Sequence, residues 1–331
     1  MVDNKIAFFG VRSWEREIIE REIINIDAFG VGIFEDNIQD NLEMAKKYEI
    51  LSLRIYSVIN KEILDKLPNL RMIATRSTGV DHIDLLECKK RKILVTNVPV
   101  YGSNTVAEYT FGLILAVAKK IVEAHQAVED DDFSPEGLTG IDLVGKTIGI
   151  VGLGQIGSNV AKIARGFGMK ILAVDSDPEM KIVKKYKIKL VDLETLLKES
   201  EVVTLHVPAT KETYHLINRD NIKLMRLGSI LVNTSRGAVM ESAAVIWALN
   251  KKILRGAGLD VVEEEDKVES MSMIMSQRPT KEDLQDVLSY HMLRDRDDVV
   301  FTPHNASNSE EAIERIVKTT IENIKNYCQK K

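Results

Sequence analysis

Residues 147–177 read TIGIVGLGQIGSNVAKIARGFGMKILAVDSD. An apolar run feeds a Gly-x-Gly-x-x-Gly turn, and an acidic residue follows one helix and one strand later. The β-type run is Thr147–Val151, the glycines are Gly152, Gly154 and Gly157, and an amphipathic helix extends to about Phe167. Gly152 allows a tight turn out of the strand, Gly154 lets a pyrophosphate approach bare backbone, and Gly157 lets helix and strand pack closely. The unpaired amides of the first helical turn then face the phosphates, helped by the helix dipole. A second strand, Lys170–Val174, delivers Asp175, placed to accept from both hydroxyls of an adenosine ribose, which favours NAD over NADP. Asp177 adds charge against a 2′-phosphate. A merely structural αβ turn would not need strand, turn, helix, strand and acid in this register.

The 331 residues suffice for about two domains, each with its own core. An apolar content of 44%, 29% charged residues and a net charge of −5, with Lys and Arg scattered, give no footprint for nucleic acid. The longest apolar stretch, 111–118, is far short of the ~20 residues that span a bilayer, so no membrane partner is expected. The N-terminus lacks a basic-then-apolar signal pattern, and a cytoplasmic protein is the expectation. Cys88 and Cys328 are the only cysteines and form no close pair, which argues against a disulfide framework or a thiolate zinc site.

Outward from the glycine turn, short β-type runs alternate with helical patterns. Before it, runs at 5–9, 32–34, 52–55, 72–75 and 93–96 interleave with helices at 14–24 and 38–47. A long buried helix is expected at 104–124, then an exposed acidic loop at 129–140. From Thr147 five strands are read, at 147–151, 170–174, 202–206, 229–233 and 256–260, making a doubly wound sheet with ligand sites just after the strands. Residues 266–298 read as a long loop holding one helix near 280–289, either a surface insertion or an active-site lid. Residues 309–327 are an amphipathic helix expected to return to the first domain.

The fold expected is α/β, two Rossmann-like domains with parallel sheets and an interdomain active-site cleft. Residues 1–100 with 301–331 would form the substrate domain and 101–300 the NAD-binding domain. Three strand-end motifs carry chemistry: Asn233-Thr-Ser-Arg236-Gly237, Asp260-Val-Val-Glu263-Glu264-Glu265 and Thr302-Pro-His304-Asn305. An Arg leaving a strand suits a bidentate grip on a carboxylate. A His paired with a carboxylate is an acid–base unit. A surface ion pair is the plain alternative for Arg236, a residue at a helix entry for His304, and a solvated acidic face for Glu265. No metal is needed.

Taken in order, Arg76-Ser-Thr-Gly-Val-Asp-His-Ile-Asp84, Asn97-Val-Pro-Val-Tyr101, Asn104-Thr-Val-Ala-Glu108, the glycine turn, His206-Val-Pro208, Leu231-Val-Asn-Thr-Ser-Arg-Gly237, Gly258-Leu-Asp260 and Thr302-Pro-His304 resemble the D-isomer-specific 2-hydroxyacid dehydrogenase family, which contains D-lactate dehydrogenase. The resemblance spans essentially the whole chain. It implies that Arg236 binds the substrate's carboxylate and carbonyl oxygen, that His304 is the general acid–base, and that Glu265 orients His304 and raises its pKa. Spacing alone does not choose among the consecutive glutamates; the family pattern selects Glu265, with Glu263 as runner-up. It further implies that backbone at Thr78 and Gly79 receives the carboxylate and that Tyr101 lines the substrate pocket, although Tyr101 is equally readable as a packing residue. Gln155, Ile156, Val207, Pro208, Thr213, Thr234, Ser235 and Asp260 would surround NAD, Asp260 holding the nicotinamide carboxamide. His82, His125, His206, His215 and His291 read as structural or exposed.

The activity implied by the resemblance is hydride transfer between NAD(H) and a small 2-oxoacid/D-2-hydroxyacid pair, D-lactate/pyruvate-like first, with glyoxylate or hydroxypyruvate reduction and phosphite oxidation as rivals. A homodimer is also implied, with 104–135 as its arm. A non-catalytic, NAD-sensing corepressor is the reading from another class, against which stands the lack of the disordered tails expected of such a regulator. One departure matters. After His304 the chain reads Asn-Ala-Ser-Asn-Ser where many relatives, D-lactate dehydrogenase among them, carry an aromatic residue, leaving the wall facing the substrate's C3 open. Met271, Met273 or Met275 are candidates to replace it.

Overall fold

The computed structural model describes residues 5–24, 30–263 and 280–329. They fall into two compact units, Met1–Gly102 with Asn308–Lys331, and Ser103–Ser307. Glu265 and the methionines at 271–275 lie outside the described residues.

The first unit runs β1 (Ile6–Phe8), α1 (Ser13–Ile23), β2 (Val31–Ile33), α2 (Leu42–Ala45), β3 (Ile50–Leu53), α3 (Lys61–Asp65), β4 (Met72–Thr75), α4 (Leu85–Lys90) and β5 (Leu94–Thr96). Its sheet has the order β2-β1-β3-β4-β5, every described pairing parallel, with Leu53 opposite Thr75 in the register of β3 and β4. Central strands β1, β3 and β4 are buried on both faces, as an apolar parallel strand must be.

The second unit begins with α5 (Ser103–Lys119) and α6 (Ile121–Glu129). It continues β6 (Thr147–Val151), α7 (Gln155–Gly166), β7 (Lys170–Val174), α8 (Met180–Tyr186), β8 (Lys189–Leu190), α9 (Leu193–Glu199) and β9 (Val202–Leu205). Then come β10 (Ser229–Asn233), α10 (Ser242–Asn250), β11 (Leu254–Leu259), α11 (Lys281–Arg294) and β12 (Val299–Phe301). The parallel sheet is ordered β12-β11-β10-β9-β6-β7-β8, seven strands rather than the five expected. The two extra strands are short edges: β8 is a two-residue exposed pair and β12 three residues long. The helix expected at 104–124 is also two helices, because Lys120 takes the left-handed conformation between α5 and α6 (φ 55°).

Each unit builds its core from the apolar stripes its helices present. On one face of the second sheet, Ala107, Phe111, Ile114 and Ala118 of α5 meet Ile148, Ile150, Val160, Ala161 and Ala164. The small residues of α7 let α5 lie close against it. The C-terminal helix α12 (Glu310–Gln329) belongs to the first unit: Val317, Ile321 and Ile324, all essentially buried, join Ile6, Phe8, Ile19, Ile50 and Met72. Each such side chain contributes roughly 1.5–3 kcal/mol on burial, which fixes α12 beside α1 although 286 residues separate their facing ends.

Strand order reverses at β1/β3 in the first sheet and at β6/β9 in the second. Open parallel sheets bind ligands in the crevice beyond the carboxyl ends at such switch points.

Candidate active site

At the β6/β9 switch, Gly152 has φ 95°, and a Cβ there would stand 2.6 Å from the carbonyl oxygen of His206. The turn after β6 thus lies directly against the chain leaving β9. A Cβ on Gly157 would come within 1.9 Å of the Gly152 carbonyl oxygen, so α7 touches the turn backbone to backbone. At Gly154, the N-cap of α7, nothing lies within 4 Å of a Cβ position, leaving open space at the helix N-terminus. Asp175 closes the turn: its carboxylate accepts from the amides of Leu153 (2.5 Å) and Asp177 (2.7 Å). A groove of about 560 Å³ lined by Leu153, Gly154, Gln155, Ser158, Asp175 and Asp177 follows from this arrangement. Open amides, bare backbone and a fixed carboxylate fit a dinucleotide's pyrophosphate and ribose. Gln155 starts α7 and is exposed, whereas Ile156 packs partly into the core.

Beyond β9, Val207 contacts the glycine turn, and the Thr213 hydroxyl donates to the Pro208 carbonyl (2.5 Å), closing a compact loop. His206 is half-buried at the loop's root, with its Nδ1 inaccessible. Its Nε2 pairs with the Thr204 hydroxyl (2.9 Å), its Nδ1 has no partner among the described residues, and burial drives its pKa down to about 3. The ring is neutral.

The loop after β10 holds Thr234, Ser235 and Arg236. Asn233, wholly buried, organises it: its side chain accepts from the amide (3.0 Å) and hydroxyl (2.8 Å) of Ser235 and donates to the Arg236 carbonyl (2.9 Å). Thr234 shares a hydrogen bond with Thr110 of α5 (2.9 Å). At Gly237 a Cβ would overlap the Val262 carbonyl oxygen at 1.8 Å, so the Arg236 turn rests on the chain after β11.

That chain also holds the His304 loop. Asp260, 1% exposed, accepts from the Thr302 hydroxyl (2.6 Å) and the amides of Asn305 and Ala306 (both 2.8 Å), and its carbonyl receives the His304 amide (2.9 Å). Burial raises the pKa of Asp260, and these hydrogen bonds with the nearby His304 oppose the rise. His304 takes φ 48°, a conformation the four Asp260 contacts hold in place. Arg236 and His304 are therefore brought to one edge of one sheet, both anchored on residues 260–262. Asp260's carboxylate is engaged with the His304 loop itself, in addition to any ligand contact.

Glu263, the alternative acidic partner, is engaged elsewhere. It bonds His215 Nε2 and accepts from the Ser242 amide (2.6 Å), while the His215 amide donates to the Ala238 carbonyl (2.9 Å). His215 and Glu263 thus tie the loops after β9, β10 and β11 behind Arg236. Separation by 48 residues hid this pair from sequence reading; the acidic run at 263–265 was its only trace.

In the first unit, Thr78 and Gly79 lie in the loop after β4. The Thr78 hydroxyl donates to the Val98 carbonyl (2.9 Å), Asn97 donates to the Thr78 carbonyl (2.7 Å), and Ser77 donates to the Gly79 carbonyl (2.6 Å). Tyr101 is half-buried, and its carbonyl is gripped by Arg315 of α12 (2.6 Å).

Fold and site together define a two-unit α/β dehydrogenase with a dinucleotide turn and an Arg–His pair of strand-end loops. Residues 111–306 match the family described as D-isomer specific 2-hydroxyacid dehydrogenase, NAD binding domain, and the chain belongs to that family, whose members are NAD-dependent enzymes. It is similar to glyoxylate reductase of Thermococcus litoralis (44% identical over 231 residues, 68% of this chain and 70% of that protein). Similarity to D-lactate dehydrogenase of Escherichia coli is 32% over 327 residues, covering 97% and 96%. Among solved structures, D-lactate dehydrogenase from Aquifex aeolicus complexed with NAD and lactic acid superposes with a TM-score of 0.86 at 34% identity, covering 98% of this chain and 96% of that one.

Proposed function

We propose that this enzyme reduces a small 2-oxoacid to the D-2-hydroxyacid. Bound NADH supplies a hydride from nicotinamide C4 to the substrate's C2. Arg236 holds the carboxylate and carbonyl oxygen and stabilises negative charge developing on that oxygen. His304 gives the oxygen a proton during reduction and takes it back in the reverse direction, with Glu265 as its orienting carboxylate. Thr78, Gly79 and Tyr101 contact substrate; Gly152, Gly154, Gln155, Ile156, Gly157, Asp175, Val207, Pro208, Thr213, Thr234, Ser235 and Asp260 serve the cofactor. What supports this most directly is the double anchoring of the Arg236 and His304 loops on residues 260–262. Similarity to relatives named glyoxylate reductase and D-lactate dehydrogenase supports a small 2-oxoacid as substrate.

The protein is proposed to act in the cytoplasm as a homodimer. No helix among the described residues is long and apolar enough to cross a membrane.

NADH oxidation over glyoxylate, pyruvate, hydroxypyruvate, phenylpyruvate and 2-ketoisocaproate, repeated with NADPH, tests the reading. Turnover with NADH in preference to NADPH is expected, since Asp175 faces the ribose position with Asp177 beside it. His304→Ala should lower kcat by at least ~100-fold. Near-normal turnover in that variant removes His304 from the mechanism.

A further inference from the structure

The loop that leaves β4 in the first unit presents three successive backbone amides, and the reason lies in how its carbonyls are tied. Asn97 Nδ2 donates to the Thr78 carbonyl (2.7 Å), the Ser77 hydroxyl to that of Gly79 (2.6 Å), and the Ile83 amide to that of Val80 (2.9 Å). The amides of Thr78, Gly79 and Val80 have no partner among the described residues. In a planar trans peptide the N–H points opposite to the C=O. Holding the Thr78 carbonyl toward Asn97 and the Gly79 carbonyl toward Ser77 therefore turns the Gly79 and Val80 amides the other way. Consecutive amides so exposed form a concavity for an anion, here at the carboxyl end of a parallel strand.

Ser77 does not act alone. Its Oγ lies 2.7 Å from Thr75 Oγ1, which in turn lies 3.1 Å from Nε2 of His82. Thr75 and Ser77 are 1% and 4% exposed, so solvent does not compete for either hydroxyl. His82 is fixed by its backbone: its carbonyl accepts from the Ile59 amide (2.7 Å), and the buried Ile83 follows it.

The hydrogens in this chain can be counted, because each hydroxyl has one to give. Ser77 gives its hydrogen to Gly79, so the contact between the hydroxyls requires that of Thr75. Thr75 then has only lone pairs for His82, and Nε2 must carry the hydrogen between them. Were Nε2 an acceptor, Thr75 would donate to it, Ser77 would turn to Thr75, and the Gly79 carbonyl would lose its donor. The Leu53 carbonyl, 3.4 Å from Thr75 Oγ1, is already served by the Arg76 amide at 2.7 Å. The relay runs one way, from His82 through Thr75 and Ser77 to Gly79.

We propose that His82 is a positioning residue for the substrate: through Thr75 and Ser77 it holds the Gly79 peptide so that the amides of residues 78–80 receive the carboxylate. This rests on the 2-oxoacid reading for its ligand and on the hydrogen count for its direction. It adds Val80 to the donors expected at Thr78 and Gly79.

NADH oxidation with glyoxylate and with pyruvate reads the positioning. His82→Ala should raise KM roughly 10-fold, about the worth of one hydrogen bond to a charged group. Its kcat should fall much less, because the carboxylate is held alike in the ground and transition states. His82→Gln, whose amide donates from a similar reach, should recover most of the loss. Thr75→Val keeps the volume and cuts the relay in its middle, so it should match His82→Ala, and the double variant should be no worse than either single one. Two unrelated structural lesions would multiply instead. NADH affinity, followed by nicotinamide fluorescence, should stay at its wild-type value throughout. Nitrogen NMR on histidine-labelled protein checks the hydrogen count without turnover: the His82 signal, assigned by its loss in His82→Gln, should show a protonated Nε2. A wild-type KM in His82→Ala, effects that multiply in the double variant, or a bare Nε2 overturns the relay while oxoacid reduction stands. A wild type that neither reduces nor binds any oxoacid overturns the 2-oxoacid reading and, with it, this role for His82.

Discussion

His206 shows how a single ring couples the cofactor loop to pH. A histidine in the unfolded chain titrates near 6.5, whereas burial brings this one to about 3. Above 6.5 both states hold it neutral and it adds no pH dependence. Between 6.5 and about 3 the unfolded chain gains a proton the native ring does not, so this contribution to stability is lost as the pH falls, at about 1.4 kcal/mol per unit. His206→Gln removes the titration while keeping an amide to face Thr204. Urea unfolding at pH 7, 5.5 and 4.5 should therefore show a flatter acid limb in the variant, and parallel profiles would show that His206 is not the source. The sequence grouped His206 with the structural or exposed histidines, because no local pattern marks a ring that tertiary packing buries. The same limit applies to Glu15, Arg54 and Arg76, which lie far apart in the chain and meet only when α1 crosses the ends of β3 and β4. Arg236 and the glycine turn, in contrast, were legible because motif and strand end are adjacent in sequence.

Elements whose apolar runs fill the sheet centre were read to the residue: β4, β6, β7 and β10 have the bounds expected. Strands β8 and β12 escaped because two or three edge residues carry no periodicity, and the α5/α6 break escaped because Lys120 is no turn signal. The loop after β12 has its own device in Asp260, a residue marked in the sequence as a cofactor contact but whose grip on residues 302–306 no local pattern announces. Asp260→Asn keeps the size but turns one acceptor into a donor, which must face the Ala306 amide or the Asn305 and Thr302 donors. An unpaired buried group of this kind costs roughly 1–3 kcal/mol. The variant should be destabilised by that order, and its kcat should fall at least ~10-fold as His304 leaves its φ of 48°. Wild-type kcat together with wild-type unfolding would show that the loop is shaped by something else.

At the scale of the whole molecule, α6 carries apolar surface that its own unit does not cover. Ile121 (53% exposed) and Val128 (49%) lie seven residues apart on one helical face, with Val122 beside them and Phe133 (78%) in the loop beyond. Scattered exposed hydrophobics are ordinary, but four within thirteen residues form a patch of the kind protein interfaces bury. The resemblance implies a dimer arm over this stretch, and the patch gives it a physical basis. A closed twofold dimer would place each α6 against the same surface of its mate, so one substitution enters the interface twice. Light scattering should give twice the chain's 37.2 kDa for the wild type and a single chain's mass for the double variant Ile121→Asp, Phe133→Asp. Leu86→Asp, at an equally exposed apolar position on α4, should leave the mass at the dimer value. A monomeric wild type, or a double variant that stays dimeric, would place the interface elsewhere.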